Sequence, residues 1–168
     1  VNYLDSKRRK TSYETVSQYV EYLSETFVIH KAERYDIKGK EALGGNAKYY
    51  ANDNSYHNYL YEGYGYGQGA LLENYVYQAL RRAGVKIYAG KMANREVDFV
   101  CTDHDKRLYV QVSWTLEDKQ TEEREYASLE AIDDSYPKIL VTMDDIPFKN
   151  RKGIENIQAW RLEEFLGL

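Results

Sequence analysis

The sequence predicts an α/β fold, a mixed sheet flanked by helices and preceded by a small α+β piece. Three observations predict it. Residues 95–114, REVDFVCTDHDKRLYVQVSW, alternate apolar and polar positions on both sides of a charged break, which is a hairpin signal. The run Lys138-Ile-Leu-Val-Thr-Met143 is continuously apolar and β-branched, like a strand covered on both faces. Helical spacing precedes the first and separates it from the second. From Ala70 onward the order is therefore helix, strand, strand, strand, helix, strand, a further candidate strand and a closing helix.

The elements follow in order. Residues 1–10 are polar and carry Lys7-Arg8-Arg9-Lys10, a solvated segment or an arm that contacts phosphate. Thr11 and Glu14 form a capping box, and Val16, Tyr19, Val20, Leu23 and Phe27 recur on one face, which predicts a helix over 12–26 with that stripe turned inward. Lys31–Asp36 and Ala47–Tyr50 read as strands joined by a turn-rich segment. A helix followed by a two-stranded hairpin is the back half of a winged-helix unit. The expected organisation is thus a winged-helix-like subdomain over 1–60 and an α/β domain over 61–168, joined through the Asn-, Tyr- and Gly-rich stretch 51–69. Ala70–Ala83 presents Leu72, Tyr75, Val76, Ala79, Leu80 and Ala83 as a stripe, with Gly84 as a stop and Glu73 at the stripe's border. Val85–Tyr88 is a strand and Gly90–Asn94 a turn. After the central hairpin, Thr121 is the expected N-cap of a helix ending near Ile132, with Tyr126, Leu129 and Ile132 inward. Ile154–Ala159 is a candidate edge strand, and Arg161–Leu166 a short helix.

Composition narrows the function classes. At 168 residues and a net charge of −4, the chain is no generic nucleic-acid coat, although a local basic patch stays open. The one cysteine, Cys101, excludes an internal disulfide framework, and a reducing, cytoplasmic setting fits. No apolar run is long enough to cross a bilayer, and no secretory h-region opens the chain, which begins at Val1 and reads as a fragment. Tyrosine is abundant, 18 residues against four phenylalanines, as suits half-wet contact surfaces. No phosphate-binding G-x-x-x-x-G-K-[ST] loop occurs, and Gly63-Tyr-Gly-Tyr-Gly-Gln-Gly69 lacks both the lysine and a preceding strand.

One constellation carries chemistry. A polar side chain inside an apolar strand is costly unless it has a partner or a task, and Asp98 is such a residue. Metal-dependent nucleases gather carboxylates around divalent ions that polarise phosphate and acidify water, with a lysine assisting. A helical Glu, a strand Asp and an acid-x-Lys pair on the next strand are one way to build this. The matching positions are Glu73, Asp98 and Gln111-Val112-Ser113. Asp98, Glu73 and Gln111 are the candidate catalytic residues, and Asp98 and Glu73 the candidate ligands for Mg²⁺ or Mn²⁺. The alternative is that Asp98 and Gln111 pair across the hairpin and satisfy each other.

This helix and these two strands resemble the PD-(D/E)XK nuclease-like core. Nearly the whole chain resembles the C-terminal region of bacterial and archaeal AAA+-type ATPases that carry a domain of unknown function behind the ATPase module. The resemblance rests on Thr15–Leu23, Tyr35–Lys40, Leu71–Tyr77, Gly90–Phe99, Tyr109–Ser113 and Tyr136–Asp144. It implies an N-terminal ATPase module as partner, a winged-helix piece linking the two, and contact with DNA or another protein. The departures are Gln111 in place of the second acid and Ser113 in place of the lysine. Lys91 or Lys119 could stand in for the lysine, and Glu96, on Asp98's face of an unbroken strand, for the acid. The resulting expectation is a degenerate, non-catalytic or weakly catalytic module that contacts protein or nucleic acid or regulates the ATPase. An active Mg²⁺- or Mn²⁺-dependent nuclease and a homo-oligomerisation domain are the alternatives.

Overall fold

The computed structural model describes residues 11–60 and 67–168. The Lys7–Lys10 segment lies outside the described residues. The elements are α1 (Tyr13–Glu25), β1 (Ile29–Asp36), β2 (Glu41–Ala51), α2 (Ser55–Leu60), α3 (Gln68–Arg82), β3 (Lys86–Met92), β4 (Arg95–Asp103), β5 (Lys106–Val112), α4 (Lys119–Glu130), β6 (Lys138–Thr142), β7 (Ile154–Gln158), a 3₁₀ turn (Ala159–Arg161) and α5 (Leu162–Leu166). All seven strands form one mixed sheet in the order β2-β1-β3-β4-β5-β6-β7. The α/β architecture expected from the sequence is present.

Apolar alternation gives the sheet two covered faces. Leu72, Val76, Ala79 and Leu80 of α3 pack with Phe99, Cys101, Val110, Ile139 and Leu162 on one face. Tyr126 and Leu129 of α4 pack with Val97, Val100, Tyr109 and Leu140 on the other. The α4 crossover joins β5 to its parallel neighbour β6, and β7 closes the edge in parallel. Cys101 is a buried free thiol whose pKa burial pushes up. Among the described residues, no helix is long and apolar enough to cross a membrane.

Four expectations are corrected. The β1–β2 hairpin does not stand apart in its own piece: β1 pairs in parallel with β3 and extends the main sheet, so the expected boundary near residue 60 cuts across a continuous sheet. Strand β2 begins at Glu41 because residues read as turn, Glu41 to Leu43, pair with Tyr35 and its neighbours. Gly44 to Ala47 then bulge out opposite Glu33, with Gly45 at φ 107°. The stripe of α1 is not buried. Val16 and Val20 are partly covered, but Tyr19, Leu23 and Phe27 are exposed, because the helix rests on β1 along one edge only. The caps also shift. Ser12 caps α1 by accepting from Thr15 N at 3.1 Å, and Asp118 caps α4 by accepting from Thr121 N at 2.8 Å.

Candidate functional site

Residues of β2, α3 and β4 converge beside Asp98. The Lys48 ammonium donates to Glu73 Oε1 at 2.9 Å and to Asp98 Oδ1 at 3.2 Å. The Tyr50 hydroxyl donates to the same Glu73 oxygen at 2.7 Å. Lys48 and Tyr50 lie two residues apart on β2 and so share a face. The bulge before them sets that register. Tyr50 is itself fixed by stacking on Tyr77, ring centroids 4.2 Å apart, and against Phe99. Glu73 comes from the border of the α3 stripe.

A second bulge places Asp98. Tyr88 pairs with Val100 and Gly90 with Val97, so Asp98 and Phe99 together face Ala89. Gly90 permits this close approach: a Cβ there would meet Val100 Cγ2 at 2.9 Å and the Val97 carbonyl at 3.0 Å. The β4–β5 ladder ends at Phe99 and Val110. Beyond it, side chains replace ladder bonds. Val112 N donates to Asp98 Oδ2 at 3.0 Å, and Asp98 N donates to Gln111 Oε1 at 3.2 Å. Asp98 and Gln111 thus hold each other's strands through backbone groups, a variant of the pairing alternative.

The electrostatics follow from burial. Asp98 is pushed up to about 6, first by desolvation and then by the Glu73 charge, with Lys48 and the Val112 N–H pulling the other way. Burial alone would lower the Lys48 pKa, but the Asp98 and Glu73 carboxylates outweigh it and hold the ammonium above its usual range. Burial, then Glu73, raises the Tyr50 hydroxyl, which stays a neutral donor.

Of the expected site residues, Glu73 and Asp98 come together and Gln111 does not join them. Gln111 alternates onto the α4 face, where it is buried and donates to Glu125 Oε2 at 2.8 Å. Ser113 donates to the Thr115 carbonyl. Glu96 is held by Arg34 at 2.5 Å, and Lys91 and Lys119 are exposed surface residues. The lysine that reaches the carboxylates is Lys48, in a hairpin assigned on sequence to another subdomain. No local signal in Ala47-Lys48-Tyr49-Tyr50 marks it.

A divalent ion fits this donor set poorly. Both Asp98 oxygens and Glu73 Oε1 already accept hydrogen bonds, and among the described residues no three His, Cys, Asp or Glu side chains gather around one point.

No protein-family model matches the chain. It is 38% identical over 164 residues to an uncharacterized protein of Haemophilus influenzae, covering 96% of this chain and 40% of that one. It is 29% identical over 164 residues to an uncharacterized protein of Methanocaldococcus jannaschii, covering 93% and 35%. The chain spans about two fifths of the length of these curated relatives. A crystal structure of a Vibrio cholerae protein aligns over 96% of this chain and 43% of its own, at 11% identity and a TM-score of 0.34.

Proposed function

We propose that this chain is a nuclease-like α/β module of a larger AAA+-type ATPase, that it works by contact with protein or nucleic acid or by regulating that ATPase, and that it does not cleave. The observation that supports the absence of cleavage is the position of Lys48, whose ammonium occupies the space between the two carboxylates that a catalytic ion would need. With Gln111 turned to the opposite face, two acids and one lysine remain, a set that closes on itself as an ionic tie between β2, α3 and β4. Calorimetric titration with Mn²⁺ tests this: the wild type releases no binding heat, whereas Lys48→Met, which frees both carboxylates, gains weak binding.

One observation favours a second reading, an active nuclease. Asp98 is shifted towards neutrality beside a lysine and a glutamate, as functional carboxylates often are. On that reading Lys48 replaces the lysine missing at Ser113. Tight Mn²⁺ binding by the wild type, lost in Asp98→Ala, would select it.

A further inference from the structure

The C-terminal ends of the parallel strands β5 and β6 carry a second feature, unrelated to the Lys48 cluster. In open α/β sheets this end is where crevices bind ligands. Trp114 follows β5 and Met143 follows β6, and the two segments are joined by Met143 N donating to the Trp114 carbonyl at 3.0 Å. Trp114 is 37% exposed, Met143 36% and Ile146 79%. Together they line an open depression of about 500 Å³. Three apolar side chains exposed around one depression mark a contact site more often than singly scattered ones do.

The loop presenting these residues is held firmly. Asp144 accepts from Thr115 Oγ1 at 2.5 Å and from Leu116 N at 3.0 Å. Two buried amides on β7 serve the same end. Asn156 accepts from Phe148 N at 2.8 Å, and Gln158 Nε2 donates to the Asp144 carbonyl at 3.3 Å and to that of Asp145. Ile146 is thus displayed on a braced loop, and a partner would meet it with little ordering cost.

Charge indicates the partner. The charged residues lining the depression are Glu117, Asp144 and Asp145, and no cation lines it among the described residues. Nucleic acid and other phosphate ligands would be repelled. We propose that Trp114, Met143 and Ile146 receive the apolar anchor of a basic peptide segment from a partner protein, with Glu117 and Asp145 pairing its lysines or arginines.

The test follows amide and indole NMR signals of the whole chain during titration with a synthetic acetyl-Lys-Arg-Leu-Leu-Arg-Lys-amide. The same peptide with glutamate at every basic position is the control. The expected result is saturable shifts at Trp114, Met143 and Ile146 with the basic peptide alone, weakened by added salt. Ile146→Ser and Asp145→Lys should each weaken binding by about tenfold, and both positions are exposed enough to leave the melting temperature unchanged. Absence of binding, equal binding of the acidic peptide, or indifference to Ile146→Ser overturns the proposal. So does a concentration-dependent dimer dissolved by Ile146→Ser, which would make a second copy of this chain the occupant.

Discussion

Lys48 Nζ stands 3.2 Å from Asp98 Oδ1 although β1 and β3 lie between their strands in the sheet. The same ammonium is shared with Glu73, so one cation balances two half-buried carboxylates on separate elements. Removing it leaves like charges facing each other with little water between them.

Lys48→Met should therefore destabilise the fold by about 2–3 kcal/mol. Adding Glu73→Gln to that variant should restore part of the loss, because one of the two stranded charges disappears. Chemical denaturation of both variants checks this. A double variant no more stable than Lys48→Met would contradict the shared tie.

Asp98 makes stability depend on pH in a stated direction. Its folded pKa, about 6, lies above the ordinary 3.8. Its contribution is complete below about 3.8 and is lost as pH rises through about 6. Asp98→Asn cannot titrate. The stability of Asp98→Asn relative to wild type should thus improve by about 1–3 kcal/mol between those values and stay level above them. Denaturation curves of the pair at several pH values read it out; a difference constant across the window would show that Asp98 is unperturbed.

Gln111 is a structural bridge, so restoring the acid there should do harm. Gln111→Glu would place a second carboxylate at hydrogen-bond distance from buried Glu125 and remove the donor to its Oε2, leaving only the Arg124 bonds to Oε1. A loss of about 2–4 kcal/mol is expected, with no gain in Mn²⁺ affinity. Improved Mn²⁺ binding would mean that residue 111 does face the Glu73 site.

Much of the fold was legible because period and burial agree locally. The α3 stripe, the β4–β5 hairpin and the apolar β6 run each state their own environment. What the sequence hid depends on partners far along the chain. Nothing local says that β1 pairs with β3, that Gly44–Ala47 form a bulge, or that Asp98 shares a bulge with Phe99. Those events carry Lys48 to Glu73 and turn Gln111 away from both. Glu73 and Asp98 were readable as polar residues in apolar settings. Lys48 was not, since its role exists only once β2 has joined the sheet. The α1 stripe misled because amphipathicity does not specify how much of a face is covered.

That partial cover of α1 is itself testable. Tyr19→Ser should change stability by less than about 0.5 kcal/mol, as expected of an exposed position. Val20→Ser should cost about 1–2 kcal/mol, because Val20 lies on the covered side. Equal losses at both positions, measured by thermal melting, would show that the tyrosine side is buried as well.

The measurement closest to the central claim is incubation of single- and double-stranded DNA with the wild type, Lys48→Met and Asp98→Ala in Mn²⁺. Intact DNA in all three reactions is the predicted result: in the wild type both carboxylates are committed to Lys48, and in Lys48→Met the freed pair has no lysine beside it to assist cleavage. Divalent-ion-dependent cleavage by the wild type, abolished in Asp98→Ala, would contradict it and make the Lys48 cluster a working nuclease site.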